Sequence, residues 1–149
     1  MTSPSLVLVE DNPDDLELMM RAFRADDVRC DIRVARDGAE AIEMLLGSTD
    51  TSPPAVVLLD LKLPGIDGFD VLRRVRADPR TRSLPIVILT SSIEPDDLNK
   101  AYWLGANSYV RKPMSFRDLV AATRQIAAYW LTLNERPGRG QRSEVKGQR

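Results

Sequence analysis

Apolar residues fall along the chain in short runs, separated by longer segments in which they recur every three or four positions. The runs are Leu6 to Val9, Ile32 to Ala35, Ala55 to Leu59, Ile86 to Leu89 and Ser108 to Val110, each of strand length. VVLL and IVIL, within the third and fourth, contain no polar position, as befits a parallel strand covered on both faces. The intervening segments read as helices. Asn12-Pro13-Asp14-Asp15 supplies an N-cap, a proline for the first helical position and two carboxylates for the first turn of a helix through about Ala25. A second helix runs from about Gly38 to Leu46, with Ala41, Ile42, Leu45 and Leu46 at helical spacing and Gly47 at its end. Asp67 caps a third through Ala77 that buries Phe69, Leu72 and Val75, and a fourth runs from near Glu94-Pro95 to Gly105. The fifth spans Ser115 to about Leu133, with Phe116, Leu119, Val120, Thr123, Ile126, Ala127 and Trp130 on one stripe.

The pattern is (βα)5. Right-handed crossovers make it a doubly wound α/β parallel sheet with helices on both faces. Such sheets bind ligands at the carboxyl ends of their strands, so the residues just after each apolar run are where chemistry is expected.

Composition narrows the chemistry. With 149 residues, 43% apolar and 29% charged, the chain has one globular domain's worth of material. Histidine is absent, which excludes every mechanism built on an imidazole, from Ser-His-Asp triads to His-ligated zinc. Cys30 is the single cysteine, read as a small structural thiol in a reducing compartment. The N-terminus lacks a signal-like apolar stretch and no run is long enough for a membrane span, so a cytoplasmic protein is expected. Residues 134–149 carry Arg136, Arg139, Arg142, Lys146 and Arg149 against Glu135 and Glu144, with almost nothing apolar. They are expected to form a disordered, solvated basic tail behind a folded domain of residues 1–133, with neither a nucleic-acid nor a membrane partner.

At the strand ends stand Glu10 and Asp11 after the first run, Asp60 after the third, Thr90 after the fourth and Lys112 after the fifth. Carboxylates gathered by adjacent parallel strands repel one another unless a cation joins them. An all-oxygen set favours a hard ion such as Mg²⁺. The expected site is therefore an acidic metal pocket with a hydroxyl and a lysine on its rim.

Four segments together, LVLVEDNPDD, VVLLDLKLPGIDGFDVL, IVILTSS and GANSYVRKPM, resemble the receiver domains of two-component response regulators over residues 5 to about 133. The resemblance implies a flavodoxin-like sheet in strand order 2-1-3-4-5 and a phosphoryl group passed from a sensor histidine kinase to Asp60. It implies that Asp60, Asp11 and Glu10, the last directly or through water, hold Mg²⁺ with the main-chain carbonyl of Lys62. Lys112 and the Thr90 hydroxyl would each take a phosphoryl oxygen. By the same resemblance Tyr109 turns inward as Thr90 moves, the Lys112–Pro113 peptide is cis, and Lys62 and Ser92 flank the path of attacking water. With a lysine and a short serine there, slow loss of the phosphoryl group is expected.

VEDNPDD, the prolines of DTSPPA and the lack of an output domain after residue 133 look most like the small regulators paired with bacterial phytochromes. The partner implied is then a bacteriophytochrome-type kinase, and the output a protein contact or a phosphoryl relay rather than turnover of a substrate. Leu98, Ala101 and Tyr102 are spaced to face the sheet, which leaves Trp103 pointing outward. That residue is expected to anchor a contact, most simply a homodimer, through the face of the fourth helix, fifth strand and fifth helix. Two other readings stay beside this one. A receiver-like adaptor would bind partners without phosphorylation. A haloacid dehalogenase-type phosphatase would need an acid two residues after the nucleophile, where this chain has Lys62.

Overall fold

The computed structural model describes residues 4–25, 29–47 and 52–137; of the expected tail, 138–149 lie outside the described residues. The elements alternate without exception: β1 (Ser5–Val9), α1 (Pro13–Ala25), β2 (Asp31–Ala35), α2 (Gly38–Leu46), β3 (Val56–Leu59), α3 (Gly68–Ala77), β4 (Ile86–Thr90), α4 (Pro95–Trp103), β5 (Ser108–Arg111) and α5 (Phe116–Ala128), which runs on into a π-helical turn, Tyr129–Leu133. The strands form one parallel sheet in the order β2-β1-β3-β4-β5. This is the doubly wound, flavodoxin-like arrangement implied above.

Alternation along each strand divides the core in two. Val7, Val9, Val57, Leu59, Ile86 and Ile88 face Ala41 and Leu45 of α2, Val71, Leu72 and Val75 of α3 and Ala101 of α4. Leu6, Leu8, Val56, Leu58, Val87 and Leu89 face Leu16, Met19 and Phe23 of α1 and Leu119, Ile126 and Ala127 of α5. β3 is apolar throughout, and β1 and β4 apart from Ser5 and Thr90 at their ends, because neither face of these strands meets water.

Helix starts follow their capping chemistry. Asn12 Oδ1 accepts from the amides of Asp14 and Asp15, both at 3.0 Å. Asp37, Asp67 and Ser115 accept from the amides of Glu40, Asp70 and Asp118 at 2.8, 3.0 and 3.1 Å. Each such cap contributes about 1 kcal/mol. Helix α4 differs: Glu94 stands at its N-cap position without a side-chain cap, and Ala101 is its one buried residue. Its far end closes in a Schellman motif, with Ala106 N–H on the Ala101 carbonyl and Gly105 N–H on that of Tyr102, both at 3.0 Å. Gly105 takes φ +105°, open to glycine alone without strain.

Several expectations are corrected. Phe116 does not join the buried stripe of α5; it is 66% exposed, and burial along the helix begins at Leu119. Phe69 is half-buried, with the Lys100 ammonium 4.3 Å above its ring. Tyr102 is likewise half-exposed rather than turned to the sheet. No cis peptide occurs among the described residues, so Lys112–Pro113 is trans. The bond need not be cis to aim the lysine, since Lys112 N–H extends the β4–β5 ladder to the Thr90 carbonyl at 2.7 Å and its side chain leaves the strand end toward β3 and β1. Cys30 sits half-buried before β2, where burial pushes its thiol upward. No helix among the described residues is long and apolar enough to cross a membrane.

Candidate functional site

At the carboxyl end of the sheet the ladder continues one residue past β1, β3 and β5. Glu10 N–H reaches the Ala35 carbonyl at 3.0 Å and Asp60 N–H the Val9 carbonyl at 3.1 Å. Backbone pairing thus fixes where the two acids emerge, on neighbouring strands. Glu10 and Asp60 are buried, Asp11 is exposed, and carboxylate oxygens of the three lie within 4.8 Å of one another.

Lys112 closes the group from β5. Its ammonium lies 2.8 Å from Glu10 Oε1, 3.0 Å from Asp15 Oδ2 and 3.0 Å from Asp60 Oδ2. Three N–H donors thus meet three carboxylates. Burial pushes the Glu10 carboxyl up to about 7, helped by the charge of Asp60 and opposed by the Lys112 hydrogen bond. For Lys112, burial alone would lower the ammonium, but the bond it donates to Glu10 and the charges of Asp60 and Glu10 outweigh it and raise it. One ammonium does not balance four acids, and the excess of negative oxygen fits a hard divalent cation.

The loop after β3 is held close to Asp60. Lys62 N–H donates to Asp60 Oδ1 at 3.2 Å. A Cβ on Gly68 would come within 2.3 Å of the Asp60 carbonyl oxygen and 2.7 Å of Leu61 Cα, so only glycine lets α3 start here. The Lys62 side chain points away from the acids, to Asp97 Oδ2 at 3.7 Å.

Thr90 is fully buried at the end of β4, and its hydroxyl accepts from Ser92 N–H at 3.4 Å. Ser92 Oγ donates to Asp97 Oδ2 at 2.6 Å, while the Tyr109 hydroxyl donates to the Ser92 carbonyl at 3.3 Å. Of the residues singled out in the sequence, Glu10, Asp11, Asp60 and Lys112 meet at one point, while Thr90 and Tyr109 are joined to each other through Ser92. Trp103 stands apart, 87% exposed at the end of α4. Asp15 and Asp97 were not anticipated as site residues. Both sit in the first turn of a helix, where an acid is ordinarily explained by the helix dipole.

The chain matches the model of the response regulator receiver domain over residues 6–124. It is 42% identical over 135 residues to a probable methanogenesis regulatory protein of Methanothrix harundinacea, covering 89% of this chain and 87% of that one. Among solved structures it is similar to a phosphorylated cyanobacterial phytochrome response regulator, with 33% identity and a TM-score of 0.87 over 92% of this chain and 100% of the other. A manganese-bound response regulator superposes with a TM-score of 0.85 at 30% identity, covering 91% of this chain and 99% of that one.

Proposed function

From its membership of the response regulator receiver family, we propose that this chain is a phosphoacceptor that takes a phosphoryl group onto Asp60 from a sensor histidine kinase of the phytochrome-linked kind. The single observation that carries the reading is the Lys112 ammonium shared by Glu10, Asp15 and Asp60, beside carboxylate oxygens gathered within 4.8 Å.

An Asp60 carboxylate oxygen attacks phosphorus, and the bond to the donor imidazole breaks with its electron pair leaving on nitrogen. Phosphoryl transfer asks the protein mainly for alignment and for neutralisation of the phosphoryl oxygens. Lys112 supplies one positive charge, already in place and desolvated. Thr90 supplies a hydroxyl from the adjacent strand end. Glu10, Asp11 and Asp60, with the Lys62 carbonyl, would hold Mg²⁺, which when bound neutralises acceptor and phosphoryl oxygens together. The product is an acyl phosphate on the protein itself, read out by contacts rather than by turnover of a substrate.

Incubation with acetyl phosphate and Mg²⁺ should add one phosphoryl group to the intact mass, and Asp60→Asn or chelation should abolish the gain. A wild-type chain that stays unmodified would favour the adaptor reading. The exposure of Trp103 supports a contact through α4, β5 and α5, most simply a homodimer. Trp103→Ala should weaken self-association by about 2 kcal/mol in sedimentation equilibrium; equal dimerisation by the variant rejects this surface.

A further inference from the structure

Two short paths, one from the acceptor and one from Thr90, end on the same carboxylate. One runs from Asp60 Oδ1 to Lys62 N–H and out along that side chain to Asp97 Oδ2. The other runs from the Thr90 hydroxyl to Ser92 N–H, and from Ser92 Oγ to the same Asp97 oxygen. Asp97 lies in the first turn of α4, the helix whose start has no side-chain cap. Ser92 Oγ accepts from Glu94 N–H at 3.3 Å, so Ser92 and Asp97 together tie this turn to the end of β4. At its other end the helix carries Trp103.

Resting on the reading above, we propose that Lys62 and Asp97 form a latch on α4: a phosphoryl group on Asp60 draws the Lys62 ammonium away from Asp97 and frees the first turn of the helix. The Lys62–Asp97 pair is long, at 3.7 Å, and the Lys62 side chain is 65% exposed. Pairs of that kind are weak, so a small bias moves them. The competing partner is a dianion on the residue whose carboxylate already bonds the Lys62 main chain. The lysine therefore gains charge by changing partners at little conformational cost. Asp97 is left with Ser92 alone, on a helix with one buried residue. The latch would pass occupancy of Asp60 to the Trp103 face along α4.

Amide hydrogen exchange over residues 93–103, followed with intact mass on the same samples, tests this. In the wild type, phosphorylation should speed exchange about two- to five-fold, the range an exposed ion pair allows. Lys62→Met and Asp97→Asn should show that faster exchange before phosphorylation and no further increase after it, while Lys62→Arg should behave as the wild type. A chain that gains the phosphoryl mass with unchanged exchange in α4 overturns the latch and leaves the phosphoacceptor reading standing. So does Lys62→Met retaining the full phosphorylation-dependent increase. Absence of any mass gain defeats the phosphoacceptor reading first, and the latch with it.

Discussion

The two ends of the sheet each hold one buried or half-buried cation from a distant segment, and they use it in opposite ways. At the amino ends of the strands, the Arg76 guanidinium of α3 bonds the carbonyls of Gly105, Arg82 and Leu84 at 2.9, 3.0 and 2.8 Å and Asn107 Oδ1 at 2.8 Å. All four acceptors are neutral, and Asn107 Oδ1 also receives Ile86 N–H at 2.8 Å. The fork closes the network, pinning α3 to the turns before β4 and β5. At the carboxyl ends, Lys112 faces three carboxylates, with Asp11 close by, and negative charge is left over. A joint is finished when its polar atoms are matched by neutral partners; a site for reaction keeps an imbalance that a ligand must resolve.

The largest expected effect is at the unbalanced end. Lys112→Met keeps the volume and strands Glu10, Asp15 and Asp60 without their ammonium, and should cost about 3–5 kcal/mol in metal-free urea unfolding. Mg²⁺ should restore part of the loss. A cost under about 1 kcal/mol, or no response to Mg²⁺, would erase the contrast between the ends. Arg76→Met leaves four acceptors short of a donor and should cost about 2–3 kcal/mol, equally with and without Mg²⁺. A magnesium-dependent deficit there would mean the ends are coupled.

A subtler effect is electrostatic. With the Glu10 carboxyl raised from 4.5 to about 7 in the fold, the protonated form is favoured by folding. Its contribution to stability is therefore complete below pH 4.5 and lost as pH rises through about 7. Metal-free wild type should lose on the order of 2 kcal/mol across that window relative to Glu10→Gln, as read from denaturation midpoints. Parallel pH profiles would show that Glu10 is not the acid that burial perturbs. The smallest effect belongs to neither end: Arg21→Ala removes the exposed pair to Glu17 on α1 and should cost about 0.3–0.5 kcal/mol.

Most of this architecture was legible in the chain because its cause is local. VVLL and IVIL mark strands with two covered faces, and Asp67 and Ser115 mark helix starts through bonds spanning three residues. Glu10, Asp11, Asp60 and Lys112 were legible because parallel topology puts residues after successive strands side by side. What escaped depends on partners far along the chain. Asp15 reads as a helix-start acid until β5 brings Lys112 to it. Asp97 reads the same way until the loops after β3 and β4 deliver Lys62 and Ser92. Phe116 fits the helical period of α5, but period does not say at which turn burial begins.

The pocket also has an order of assembly. Asp15 and Lys112 are 97 positions apart, and Asp60 and Lys112 are 52. A ribosome delivers the acids first and their ammonium late, after β1 and β3 can already pair. Until β5 docks, the carboxylates of Glu10, Asp15 and Asp60 lack the ammonium that joins them. A chain stalled or cut after β4 would carry Asp60 yet lack the ammonium that partners it. Lys112 thus comes last to the pocket: only a molecule synthesised and folded through β5 has the ammonium beside its acids.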